Sequence, residues 1–138
     1  TDFAVYRREQ NGSGMWYVFQ SQTNSFSSIQ WGSAATVHIP TPADFDGDGK
    51  ADHAVIVAGQ RFYARRSSNG TLYEVQLFGG SENRPAIGDY DGDGRADVAT
   101  TASGGSGISW QIIQSTSGNR FVQFGAPNDR VIPPFDIP

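Results

Sequence analysis

The sequence predicts an all-β fold: three β-propeller-like blades of about four short antiparallel strands each, with a three-fold β-trefoil as the alternative. Three observations carry the prediction. Aligning the chain on one recurrent aspartate gives Asp2, Asp52 and Asp97, spaced by 50 and 45 residues, which is the length of a blade-sized repeat. Seventeen glycines and seven prolines in 138 residues, against a single methionine, describe many turns and short strands. No helical periodicity of any length runs through the chain. The length suits one domain with a modest core, and the repeats fall at approximately 1–50, 51–95 and 96–138.

Each repeat is justified element by element. An apolar, β-branched run follows the aligned aspartate: Phe3-Ala4-Val5-Tyr6, His53-Ala54-Val55-Ile56-Val57 and Val98-Ala99-Thr100. A second strand has an aromatic near its start: Trp16-Tyr17-Val18-Phe19, Arg61-Phe62-Tyr63-Ala64 and Trp110-Gln111-Ile112-Ile113. A third ends in an apolar residue and glycine: Ile29-Gln30-Trp31-Gly32, Val75-Gln76-Leu77-Phe78-Gly79 and Phe121-Val122-Gln123-Phe124-Gly125. Alternation in Val75-Gln76-Leu77 and Phe121-Val122-Gln123 fits strands with one buried face. Proline-containing segments, Val37-His38-Ile39-Pro40 and Arg84-Pro85-Ala86-Ile87-Gly88, lead into the next repeat. Asn11-Gly12 and Asn69-Gly70 read as hairpin turns rather than glycosylation sites, and Gly104-Gly105-Ser106-Gly107 as a hairpin loop, since no helix follows to make a phosphate cradle.

The chemistry is concentrated in two loops. Asp44-Phe45-Asp46-Gly47-Asp48-Gly49-Lys50-Ala51-Asp52 recurs as Asp89-Tyr90-Asp91-Gly92-Asp93-Gly94-Arg95-Ala96-Asp97. Each places carboxylates at positions 1, 3, 5 and 9 and glycines at 4 and 6. Two unit charges about 4 Å apart cost about 4 kcal/mol near a protein surface, so an ordered loop of four needs a cation. Flexible, all-oxygen coordination calls for Ca²⁺ rather than Mg²⁺, which holds its waters. Two calcium sites are expected, with Asp44, Asp46, Asp48 and Asp52 in one and Asp89, Asp91, Asp93 and Asp97 in the other. The backbone carbonyls of Lys50 and Arg95, at position 7, complete them. The glycines permit the tight turn through positive φ. Net charge is −4, but eight of fourteen acids lie in these loops; the rest of the chain is positive, and two divalent ions would neutralise the whole. The acidic balance therefore argues for metal and not for nucleic acid.

The last acid falls at position 9, and a β-branched run follows instead of a helix, which separates these loops from an EF-hand. With Thr1-Asp2-Phe3-Ala4-Val5-Tyr6-Arg7 and Trp16-Tyr17-Val18, they make the chain resemble the FG-GAP/VCBS repeat family over essentially its whole length. Members include the calcium-binding blades of integrin α-subunit propellers and many secreted bacterial proteins. The resemblance implies that the loop aspartates are structural ligands, not catalysts, and that Phe45 and Tyr90 point away from the ion and pack. It implies a calcium-stabilised, non-catalytic binding or adhesion module of an exported protein, its ligand a carbohydrate or a protein. Alternatives are a lectin with sugar sites between blades, or a propeller fragment of a polysaccharide-acting enzyme.

Other signals fit that reading. No cysteine is present and the two histidines, His38 and His53, stand in no catalytic motif; no nucleophile elbow occurs. Lacking disulfides, a small exported domain can hold its loops with metal, and external millimolar calcium saturates even weak sites. A secreted or cell-surface location, in a bacterium, is expected. No membrane-spanning run is present. The chain does not begin with Met, which a processed or truncated product would explain. Three blades would leave apolar faces uncovered, so a homodimer completing a six-bladed ring is expected, or further blades from a parent chain. Asp136 resembles position 1 of another loop, and with Asp2 supplies too few carboxylates for a third site.

Overall fold

The computed structural model describes residues 2–33 and 38–132. These residues form three antiparallel sheets and no helix, so among them no helix is long and apolar enough to cross a membrane. The first sheet has the order β1 (Phe3–Arg8), β2 (Ser13–Gln20), β3 (Ser25–Ser33). The second runs β4 (His38–Pro40), β5 (His53–Val57), β6 (Arg61–Arg65), β7 (Leu72–Gln76). The third runs β8 (Arg84–Pro85), β9 (Val98–Gly104), β10 (Gly107–Gln114), β11 (Gly118–Gln123). Each is a meander of neighbours, and among the described residues no ladder joins one sheet to another. A trefoil needs its repeats joined in one closed barrel, so the trefoil alternative is not what forms.

The prolines explain the short fourth strands. Pro40 and Pro85 cannot donate to a ladder, and both lie on edge strands, opposite Val55 and Thr100. The first sheet has three strands where about four are expected, because among the described residues nothing pairs the outer edge of β1. The third strands also stop early: β7 ends at Gln76 and β11 at Gln123, leaving Leu77 and Phe124 beyond them. Leu77 is buried while Phe78 and Phe124 are exposed.

The larger part of the core lies between the second and third sheets. Ala54, Ile56, Phe62 and Ala64 of the second sheet meet Val98 of the third, with Ile113 packed at the margin. Burying Ile56, Phe62 or Val98 stabilises by about 1.5–3 kcal/mol each. Ala86, just after β8, forms a smaller cluster with Ala99 and Ile112 of the third sheet, against which Trp110 and Val131 pack. The first sheet reaches the second through aromatics: the Trp16 and His53 rings meet edge-on at 5.2 Å, and Tyr6 shares a hydrogen bond with His38 Nδ1. Trp16 is therefore core, at 3% exposure.

The hairpin turns form as expected. Gly12 and Gly70 adopt positive φ, and Asn11 and Asn69 accept from the amide and hydroxyl two residues on.

Candidate metal centres

Each acidic loop is strapped across the mouth of a β-ladder. The first connects β4 to β5 and the second connects β8 to β9. Their bases close alike: Asp52 N–H donates to the Ala43 carbonyl at 2.8 Å, and Asp97 N–H to that of Gly88 at 2.7 Å. Inside, the chain doubles back through left-handed glycines, Gly47 and Gly49 (φ 79° and 81°) and Gly92 and Gly94 (φ 77° and 84°). A side chain is strained in that region, which accounts for glycine at positions 4 and 6.

The two loops share one wiring. Asp44 accepts from the amides of Gly47 (2.6 Å), Asp48 (3.2 Å) and Gly49 (2.7 Å). Asp89 accepts from those of Gly92 (2.7 Å), Asp93 (3.2 Å) and Gly94 (2.9 Å). Lys50 and Arg95 each donate an amide to the carboxylate two residues back, Asp48 and Asp93, at 2.8 Å. The ninth-position acids are buried: Asp52 accepts from the amides of Phe45 and Ser67, and Asp97 from those of Tyr90 and Ser115. Burial raises the pKa of both against those donors.

The carboxylates converge as two triads. Asp44, Asp46 and Asp48 bring one oxygen each within 4.8 Å of one another, as do Asp89, Asp91 and Asp97. Either cluster can hold a metal ion. Asp52 and Asp93, grouped in the sequence with the other acids of their loops, stand outside the triads and bond to backbone and hydroxyls instead. One atom bears directly on the fit: Asp91 Oδ1 is buried without a hydrogen-bond donor. A buried carboxylate oxygen in that state is costly unless a positive charge faces it. An oxygen-only donor set suits a hard cation.

Position 2 packs as expected. Phe45 is buried edge-on against Phe62 at 4.8 Å. Tyr90 packs against the smaller cluster and donates to the Ala86 carbonyl at 2.6 Å; burial pushes its pKa up to about 12.

Sequence reasoning missed a second layer of hydroxyls from the hairpin turns that follow β6 and β10. Ser67 Oγ donates to Asp48 at 2.8 Å and Ser68 Oγ to Asp46 at 2.6 Å. In the other loop Ser115 Oγ (2.5 Å) and Thr116 Oγ1 donate to Asp93, and the Ser117 amide to Asp91. These donors hold Asp46 and Asp93 below the usual carboxylate range. The available signal was the hydroxyl pair at the same turn, Ser67-Ser68 and Ser115-Thr116. The first sheet keeps a trace of it: Asp2 accepts from the amide and hydroxyl of Ser21 at 2.9 and 3.1 Å. Asp136 lies outside the described residues.

Residues 83–118 match the family model FG-GAP repeat. That stretch runs from just before β8, through the second acidic loop, to the turn that supplies its hydroxyls. Neither curated proteins nor solved structures give a match to the chain.

Proposed function

We propose that this chain is a calcium-stapled, non-catalytic binding or adhesion module of an exported protein, its sheets standing as propeller-like blades and its ligand a carbohydrate or a protein. The duplicated wiring of the acidic loops carries this reading. Two loops 45 residues apart in sequence aim the same donors at the same carboxylates, and in one a buried oxygen is left facing no donor. The triads Asp44, Asp46, Asp48 and Asp89, Asp91, Asp97 would hold the two ions. Asp52, Asp93 and the carbonyls of Lys50 and Arg95 are the further oxygens at hand. Bound calcium supplies positive charge where carboxylates crowd and fixes the turn that joins an edge strand to its sheet. The family match over residues 83–118 and the absence of cysteine fit a module that relies on external calcium.

The histidines support a scaffold rather than an active site. His38 bonds to Tyr6 and His53 packs on Trp16, both between sheets, and burial lowers the pKa of each. Isothermal titration tests the proposal: calcium should bind at two ions per chain, and magnesium should compete poorly. One ion or none per chain would refute it.

A carbohydrate is favoured as ligand by the cleft of about 380 Å³ between the first and second sheets, which Trp31, Tyr63 and Leu72 line together with the polar Ser33 and His38. Sugars stack on such aromatic faces. A glycan array probed in calcium with no hit would leave protein ligands only.

A further inference from the structure

The hydroxyls that brace the two acidic loops come from matching turns but land on different aspartates. Ser67 and Ser115 hold the same place, since each gives its amide to the ninth-position acid, Asp52 or Asp97. Ser68 then matches Thr116 and Asn69 matches Ser117, and Gly70 and Gly118 follow at positive φ (73° and 84°). In the first turn the hydroxyls are shared out: Ser67 Oγ donates to Asp48 and Ser68 Oγ to Asp46. In the second both fall on one carboxylate, Ser115 Oγ and Thr116 Oγ1 donating to the same oxygen of Asp93. Thr116 is β-branched and stiff about χ1, so its hydroxyl stays where the turn aims it.

The loop backbones do not explain the difference, because they are wired alike. Asp44 and Asp89 take the same three amides. Asp48 and Asp93 each take the amide of the seventh residue. What changes along with the hydroxyls is which carboxylates converge. Asp48, fifth in the first loop, joins Asp44 and Asp46. Asp93, fifth in the second, stands outside its triad, and the buried Asp97 takes the third place beside Asp89 and Asp91. The third-position acids differ as well. Asp46 has a donor on each oxygen, the Asp48 amide at 3.2 Å and Ser68 Oγ at 2.6 Å. Asp91 has the Ser117 amide on one oxygen, and its Oδ1 is buried without a donor. The hydroxyl that Asp46 receives is the one that Asp91 lacks, and it is found on Asp93.

We propose that the hydroxyl pair of each turn selects the ligands of its calcium site. Ser67 and Ser68 hold Asp48 and Asp46 in the first set, whereas Ser115 and Thr116 draw Asp93 out of the second and leave its place to Asp97. Outer partners orient the groups that hold a metal, and calcium tolerates loose, varied oxygen geometry, so both sets suit it. The two sites are then unequal. The first is built from acids of the turn itself, and the second reaches down to the carboxylate that immediately precedes β9. The proposal rests on the calcium reading above and concerns the residues that position the ligands.

Calorimetry on matched variants tests it, with the first loop read in an Asp89→Asn background and the second in an Asp44→Asn background. Ser67→Ala with Ser68→Ala removes the donors that orient two ligands, so calcium affinity of the first loop should fall by about tenfold or more. Ser115→Ala with Thr116→Val removes the same chemistry from the second loop, yet affinity there should hold or rise, because Asp93 is released. Asp93→Asn should change the second site little while the hydroxyls are present. Once they are removed it should cost about tenfold or more. Hydroxyls that merely brace the turns would weaken both loops alike, and Asp93→Asn would cost the same with or without them; either result overturns the proposal. A crystal structure of the unmodified chain grown in calcium decides the matter without variants. Asp97 on the second ion with Asp93 apart from it is expected, and Asp93 on that ion refutes the selection. An unmodified chain that binds no calcium would remove the underlying reading, whereas two bound ions with Asp93 among the ligands would remove this inference alone.

Discussion

Asp52 commits both carboxylate oxygens to backbone amides, whereas Asp91 keeps one buried oxygen without a donor. The same substitution should therefore act in opposite ways. Asp52→Asn puts an amide NH₂ against the N–H of Phe45 or Ser67, leaving a buried donor unsatisfied at a cost of about 1–3 kcal/mol. Melting should fall with calcium or with EDTA. Asp91→Asn keeps an oxygen for the Ser117 amide and removes a buried charge, so melting in EDTA should hold or rise while calcium affinity drops. Equal losses in EDTA for both variants would show that the two carboxylates do the same job. Tyr90 gives a residue-scale pH dependence. Its folded pKa is about 12, raised by burial and then by Asp97, against the ordinary 10. The unfolded chain thus loses its proton first; the Tyr90 contribution is intact below pH 10 and is lost as pH rises towards 12. Tyr73 is shifted in the same direction. Denaturant midpoints should decline across that window, and Tyr90→Phe should flatten the decline in proportion; an unchanged slope would exclude Tyr90 as its source.

At the level of elements, the two acidic loops touch. Ala96 of the second donates its amide to the Asp44 carbonyl of the first at 2.7 Å, and the Arg95 side chain lies over Gly47, 3.2 Å from where a Cβ would stand. An ion that orders one loop steadies a bond held by the other, so binding should be coupled, and coupling is reciprocal. Asp89→Asn should weaken calcium at the first loop several-fold, and Asp44→Asn should weaken it at the second by a similar factor. Calorimetry that finds the intact site unchanged in both variants would remove the coupling. How much of this was legible follows from what each signal depends on. The strands after the loops declared themselves because Ala54-Val55-Ile56-Val57 is apolar and β-branched regardless of context. The glycines and the second-position aromatics were readable because a turn's geometry is local. The edge strands β4 and β8 were not, since Arg84-Pro85 becomes a strand only by pairing with Thr101 and Thr100. Neither were the hydroxyls: Ser67 meets Asp48 across 19 residues, and their spacing from the aligned aspartate changes with strand length. Val5 and Val55 are the same residue at the same repeat position, and only the neighbouring sheet decides that one is exposed and the other buried.

For the molecule as a whole, the apolar core is small and divided. One cluster joins the second and third sheets, a second lies against the third alone, and the first sheet holds on through Tyr6, Trp16 and two histidines. No disulfide is possible, and clustered carboxylates oppose the order that the hydrogen-bond network gives the loops tying β4 to β5 and β8 to β9. A ligand bound only by the folded form adds about 2.7 kcal/mol at 100 times its Kd. Two occupied sites then add about 5 kcal/mol, a large fraction of the roughly 5–15 kcal/mol on which a domain stands. With each kcal/mol moving the midpoint by about 4 °C at this size, EDTA should lower the melting temperature by on the order of 20 °C. Adding sodium chloride to the EDTA sample should recover part of the loss, since salt screens exposed carboxylates from one another. Magnesium at the same concentration as calcium should recover less than calcium does. A melting temperature indifferent to EDTA would mean that packing and the hydroxyl network hold the loops unaided, and the calcium staple would have to be abandoned.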